Sequence, residues 1–213
     1  MDDLALLTLE ADVSFSYDQR GRMLQTNEPV PSARGPAPRV WLGRTMAGKT
    51  LIRYGAKVAD DVLARPEAEL RAALEPIRQE TGGPAYYFRE AIAPSALALP
   101  VTEANREVAR DTFRWLYDEV AYWQPCFAVI RDGQAVSICF SSRVGPRACA
   151  AGVDTLAEFR GRGHASTVTA AWAHAVHVSG RVPLYGTDWG NLASQGVARR
   201  LHLVQYAATT WMS

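Results

Sequence analysis

The chain has 213 residues, 48% of them hydrophobic and 21% charged, with a formal net charge of +1. This is the composition of an ordinary globular protein, long enough for one large or two small domains. A charge so nearly balanced gives no electrostatic case for nucleic acid or an anionic membrane as partner.

No run of about 18 apolar residues is present, so no membrane span is expected. The start, Met1-Asp2-Asp3-Leu4, is acidic where a signal peptide would be basic. Cys126, Cys139 and Cys149 fall in strand-like sequence and form no Cys-x-x-Cys pair. They read as reduced, buried small residues of a cytoplasmic protein, with no metal site.

In chain order, a strand is expected at Val13 to Tyr17, a turn at Asp18-Gln19-Arg20-Gly21 and a return strand near Met23 to Gln25. Pro29, Pro31, Pro36 and Pro38 then mark a loop. Gly43-Arg44-Thr45-Met46-Ala47-Gly48-Lys49-Thr50 matches the P-loop pattern G-x-x-x-x-G-K-[ST]. A P-loop needs a long helix starting at the lysine, whereas Leu51 to Gly55 reads as a strand pairing with Val40 to Leu42. A hairpin is the expectation, and a nucleotide-binding loop is the alternative. A helix begins near Asp60, with Leu70, Leu74 and Ile77 on one face, and ends at Thr81-Gly82-Gly83-Pro84. The aromatic run Ala85 to Phe88 is either core or a pocket lining, and Ala91 to Pro100 reads as a linker.

A helix is expected over Asn105 to Trp123. Cys126 to Ile130 and Ala135 to Phe140 form a hairpin around Asp132-Gly133, followed by a strand at Cys149 to Thr155. Arg160-Gly161-Arg162-Gly163-His164-Ala165 then leads into a helix whose residues Val168, Ala171, Trp172, Ala175 and Val176 recur at the helical period. A strand running through glycines into a helix start leaves main-chain N–H groups unpaired at the positive end of the helix dipole. That makes an anion site for a phosphate or diphosphate. A strand at Val182 to Thr187, a helix capped by Asn191 and a strand at Leu203 to Thr210 complete the chain.

Arg160-x-x-Gly163-x-Ala165 resembles the diphosphate-binding signature of the GCN5-related N-acetyltransferases (GNAT). Asn191-x-x-Ser194 followed by Leu201-His202-Leu203 resembles that family's later segment. The likeness covers about residues 105 to 213. It implies an α+β fold: a GNAT-like mixed, mainly antiparallel sheet flanked by helices, preceded by a smaller α+β N-terminal subdomain. On this reading residues 1–100 form the subdomain, which could be an independent domain, a degenerate repeat or a dimer contact, and 101–213 the acyl-CoA-binding domain.

The resemblance further implies acetyl-CoA as co-substrate and direct acetyl transfer, in a ternary complex, to an amine of a small molecule or peptide. Main-chain groups of Val153 and Thr155 would pair with the pantetheine. Arg160, Gly161, Arg162, Gly163, His164 and Ala165 would hold the diphosphate, and Asn191 and Ser194 would face the pantetheine arm. An ammonium acceptor, with a pKa of about 10.4, must lose a proton before attack, and Asp188 at the mouth of the Val182 strand is the candidate base. Many family members place a tyrosine four residues after the Ser194 position as acid for the thiolate. Here that residue is Ala198, which leaves Ser194 or water to act, or a non-catalytic acyl-CoA-binding module as a further alternative.

Overall fold

The computed structural model describes residues 1–213. The carboxylate of Asp2 accepts from the Ala5 amide at 2.8 Å and caps α1 (Asp3–Ser14). The helix runs directly into β1 (Phe15–Tyr17), which pairs with β2 (Met23–Thr26) in a small hairpin. Next come β3 (Val40–Thr45), β4 (Thr50–Tyr54), the short helices α2 (Asp60–Leu63) and α3 (Glu67–Ala73), β5 (Glu80–Tyr87) and β6 (Ala98–Pro100). α4 (Arg114–Glu119) lies between two 3-10 turns. The chain closes with β7 (Cys126–Arg131), β8 (Gln134–Val144), β9 (Ala148–Thr155), α5 (His164–Val178), β10 (Val182–Gly186), α6 (Leu192–Arg200) and β11 (Val204–Met212).

The main sheet has 9 strands in the order β4-β3-β11-β5-β10-β9-β8-β7-β6. Every neighbouring pair is antiparallel except β9 and β10, which are parallel and joined through α5. β5, from the first hundred residues, is inserted between β10 and β11, from the last hundred. The fold is therefore α+β, with a mixed and mainly antiparallel sheet.

Helices cover both faces because successive strand residues point to opposite sides. α1 packs Leu6, Leu7 and Leu9 against Trp41, Leu184 and Tyr206. Further along that face, Phe113, Leu116 and Val120 cover Cys126, Ala128 and Ile138. On the opposite face α5 sets Trp172 and Val176 against Cys139, Cys149 and Tyr185, while α2 and α3 close over Val40 and Met212.

Several local expectations change. The segment before β1 is helical: Val13 belongs to α1, whose residues Leu6, Leu7, Leu9, Ala11 and Val13 are all buried. With apolar residues turned to several sides, that helix shows no polar stripe in the sequence. Thr81-Gly82-Gly83-Pro84 lies inside β5 and ends no helix. The expected helix over Asn105 to Trp123 is broken into 3-10, α and 3-10 pieces. Gly43 to Thr50 is a hairpin: the Thr45 amide donates to the Lys49 carbonyl at 2.8 Å, and Thr50 opens β4. No helix follows the exposed Lys49, so the P-loop alternative is set aside.

Candidate active site

β10 pairs with β9 only where Val182, Pro183 and Leu184 meet Ala148, Cys149 and Ala150; beyond that the two strands separate. The far edge of β10 is held by β5, through Leu184–Tyr87, Tyr185–Tyr86 and Gly186–Ala85. The contact continues where the Trp189 amide donates to the Gly82 carbonyl at 3.1 Å. Gly83 permits this approach, since a Cβ there would lie 1.8 Å from the Thr187 carbonyl oxygen. The gap opens into a cavity of about 1000 Å³.

One wall of the cavity is the free edge of β9. The Leu156 amide donates to Val136 of β8 at 3.0 Å. Antiparallel alternation then turns the main-chain groups of Val153 and Thr155 toward the gap. Those of Thr155 are already engaged: its amide donates to Asp154 Oδ1 at 2.7 Å, and its carbonyl accepts from Arg160 Nε at 3.1 Å. Val153 keeps its edge free of strand partners.

At the end of the gap the main-chain N–H groups of Gly161, Arg162, Gly163, His164, Ala165 and Ser166 donate to no acceptor in the protein. Gly161 (φ 76) and Gly163 (φ 83) take left-handed backbone, which turns the chain so sharply that consecutive amides converge at the start of α5. Arg200 of α6 reaches over this loop, its Nη1 being 2.9 Å from where a Cβ on Gly163 would stand. Desolvation, then the charges of Arg131 and Arg162, lower the pKa of His164, which favours a neutral ring beside the loop. The Arg162 guanidinium lies over the Phe159 ring at 5.2 Å. Unsatisfied amides, a helix start and an arginine fit a diphosphate.

The opposite wall is α6. Asn191 Oδ1 accepts from the Ser194 amide at 3.0 Å, capping the helix. Ser194 Oγ lies 2.7 Å from the Tyr185 hydroxyl, and burial pushes the Tyr185 pKa up to about 12. Ala198 is fully buried in the core with Trp172 and Val176. Core packing thus fills the position at which the resemblance implies a tyrosine, while Tyr185, on β10, brings a phenol to the same cavity. Asp188 is exposed at the mouth, its carbonyl accepting from the Asn191 amide at 3.0 Å.

Val153, Thr155, Arg160, Gly161, Gly163, His164, Ala165, Asp188, Asn191 and Ser194 all line this one cavity; Arg162 does not. Sequence reading missed a further part of the wall, namely Glu10 of α1, Thr81 and Gly82 of β5, Thr209 and Trp211 of β11, and Arg200. Glu10 Oε2 accepts from the Tyr206 hydroxyl at 2.5 Å, and burial pushes the Glu10 carboxyl up to about 7. The signal in the sequence was faint: one carboxylate between the buried Leu9 and Ala11.

No family model matches the sequence, and no curated protein does. Among solved structures, the chain is similar to a GNAT-family acetyltransferase from Novosphingobium aromaticivorans, with 17% identity and a TM-score of 0.51. The alignment covers 64% of this chain and 65% of that one. A GNAT-family acetyltransferase from Colwellia psychrerythraea aligns with 12% identity and a TM-score of 0.49, over 64% of this chain and 57% of that one. The chain thus spans somewhat less than two thirds of the length of either structure. Over about 64% of its length the chain has the fold of the GCN5-related N-acetyltransferases.

Proposed function

We propose that this protein is an acyl-CoA-dependent N-acyltransferase, moving an acetyl group from acetyl-CoA to a primary amine by direct attack while both are bound. One observation carries the reading: a row of unpaired main-chain donors, Gly161 to Ser166, stands at the end of a gap between two parallel strands. A diphosphate accepts many hydrogen bonds in a small volume, and such a row satisfies it without moving.

On this reading the loop amides and Arg200 hold the diphosphate, and the pantetheine lies along the free edge of β9. The Val153 amide donates to the thioester carbonyl and stabilises the negative charge that develops on its oxygen. Asn191 fixes the start of α6, and so the position of Ser194. The Tyr185–Ser194 hydroxyl pair supplies a proton to the departing thiolate. Burial keeps Tyr185 neutral and hydrogen-bonded to Ser194, so the pair carries a proton to give. The buried Ala198 favours a second reading, a module that binds acyl-CoA without turnover.

The test is thermal unfolding with and without acetyl-CoA, for wild type, Gly163→Glu and Gly180→Glu. Gly180 also has positive φ (78), but it lies past the end of α5, outside the cavity. Both variants carry similar backbone strain, and only the first puts bulk and negative charge among the loop amides. Acetyl-CoA is expected to raise the melting temperature of wild type and Gly180→Glu by several degrees, and of Gly163→Glu by none. An equal rise in Gly163→Glu contradicts the site. A rise in wild type without thiol release on any amine supports the binding module.

A further inference from the structure

We propose that Glu10 of α1 is the general base of this reaction, and that the acceptor is a compact primary ammonium entering from the α1 face of the sheet. The proposal rests on the acyltransferase reading and adds to it a catalytic residue and the face of the sheet from which the amine enters.

The geometry begins with alternation along β10. Leu184 packs under α1, and Tyr185 packs under α5. Gly186 therefore faces α1, and a Cβ built there would lie 3.9 Å from Glu10 Oε1. Glu10 looks into the gap from one face, whereas the anion loop and the Tyr185–Ser194 pair lie on the other. The gap thus crosses the sheet. A thioester held within it would leave its thiolate toward α6 and offer its carbonyl carbon to a nucleophile from α1.

The α1 mouth has the chemistry of a cation site. Glu10 shares one oxygen with Tyr206 and leaves the other unbonded. Trp211 supplies an aromatic wall, and Gly186 of β10 leaves room for a short chain, since a Cβ there would meet only Glu10 Oε1. Among the elements packed on α1, the titratable and charged groups add no cation to this mouth. Tyr206 of β11 donates to Glu10, and Asp154 of β9 and Asp188 after β10 line the same cavity. Arg44 of β3 pairs with Glu67, Arg143 of β8 with Glu28, and Arg53 of β4 stands beside Tyr17 of β1. On α1 itself, Asp3 acts on Tyr206 and Asp12 on Tyr17. The far end of the cavity, with Arg160 and Arg200, has the opposite sign.

Burial holds the Glu10 carboxyl near 7, against the opposing effect of the Tyr206 hydrogen bond. A base of that strength is half-ionised at neutral pH and can both accept and release a proton. In the step proposed, the Glu10 carboxylate takes one proton from R–NH3⁺. The freed amine forms the C–N bond at the thioester carbon, and the C–S bond breaks with its electron pair going to sulfur. The second nitrogen proton balances the one given to sulfur through Tyr185–Ser194, and Glu10 returns its proton to solvent. The sum is R–NH3⁺ plus acetyl-CoA giving the amide, CoA–SH and H⁺.

The experiment follows thiol release from acetyl-CoA with 1-butylamine from pH 5.5 to 9.5, in wild type, Glu10→Gln, Tyr206→Phe and Asp188→Asn. Acetyl-CoA thermal shifts are measured alongside. Wild type is expected to gain rate up to about pH 7 and then level. Glu10→Gln should be slower by about 10²–10⁴-fold and keep rising toward the amine's own pKa, with its acetyl-CoA shift intact. Tyr206→Phe, which removes the hydrogen bond that lowers the Glu10 pKa, should move the wild-type limb to higher pH. A limb unchanged in Glu10→Gln, or one abolished by Asp188→Asn instead, overturns the assignment. Absence of butylamine turnover in wild type that still binds acetyl-CoA overturns the acceptor class. Loss of the acetyl-CoA shift in wild type overturns the underlying acyltransferase reading instead.

Discussion

A carboxyl group half-buried beside a single phenol is harder to ionise in the folded chain than in the unfolded one, so Glu10 links stability to pH. Its folded value is about 7 against an ordinary 4.5. Between those values the folded chain holds the proton and the unfolded chain has lost it, so stability falls as pH rises from about 4.5 to about 7. Above that range the effect is constant. The size is on the order of 3 kcal/mol. Denaturant titrations should show this fall in wild type and its removal in Glu10→Gln; parallel pH dependences in the two would contradict it. Tyr185 offers a second test at this scale. Tyr185→Phe removes the hydroxyl bonded to Ser194 and should lower thiol release by about 10-fold or more while leaving acetyl-CoA binding within about twofold. A rate equal to that of wild type would remove Tyr185 from the proton path.

At the scale of elements, two pieces position the site: α6, fixed by its cap, and β5, fixed by its glycines. Asn191→Ala removes the acceptor of the Ser194 amide and should cost about 1 kcal/mol of stability. Gly83→Ala sets a methyl group against the Thr187 carbonyl, which has no room for it. It should weaken acetyl-CoA binding and lower the melting temperature together; a variant with wild-type values for both would show that β5 does not hold β10 in place. The α6 cap and the α5 loop were legible in the sequence because each is decided by neighbours a few residues apart: Asn191 with Ser194, Gly161 and Gly163 with the helix start. The hairpins at Gly43–Thr50 and Asp132-Gly133 were legible for the same reason. α1 was not, because its apolar residues leave no stripe of one period. Gly82-Gly83-Pro84 misled because glycine and proline mark a helix end as readily as a strand pressed close against another backbone. Glu10 becomes a site residue only once α1 is laid over Gly186, a relation between residues far apart in the chain.

For the whole molecule, the decisive feature is the threading of the sheet. β5 stands between β10 and β11, and α1 covers strands from both halves of the chain. Removing the first hundred residues would leave the edge of β10 unpaired and open one face of the core. The chain is therefore expected to unfold in one calorimetric transition whose enthalpy equals its van't Hoff value; two resolved transitions would contradict this. The same threading brings an acidic and aromatic mouth from α1 and β11 to a cleft whose other end is the row of unpaired loop amides that we propose receives a diphosphate. Everything assigned to that cleft depends on the loop amides receiving a ligand, and amide-resolved NMR tests this most directly. Titration with CoA should move the signals of Gly161 to Ser166 as well as Val153, whereas pantetheine, which lacks the diphosphate, should move Val153 and leave the loop in place. Loop amides that stay unmoved at saturating CoA would contradict the account.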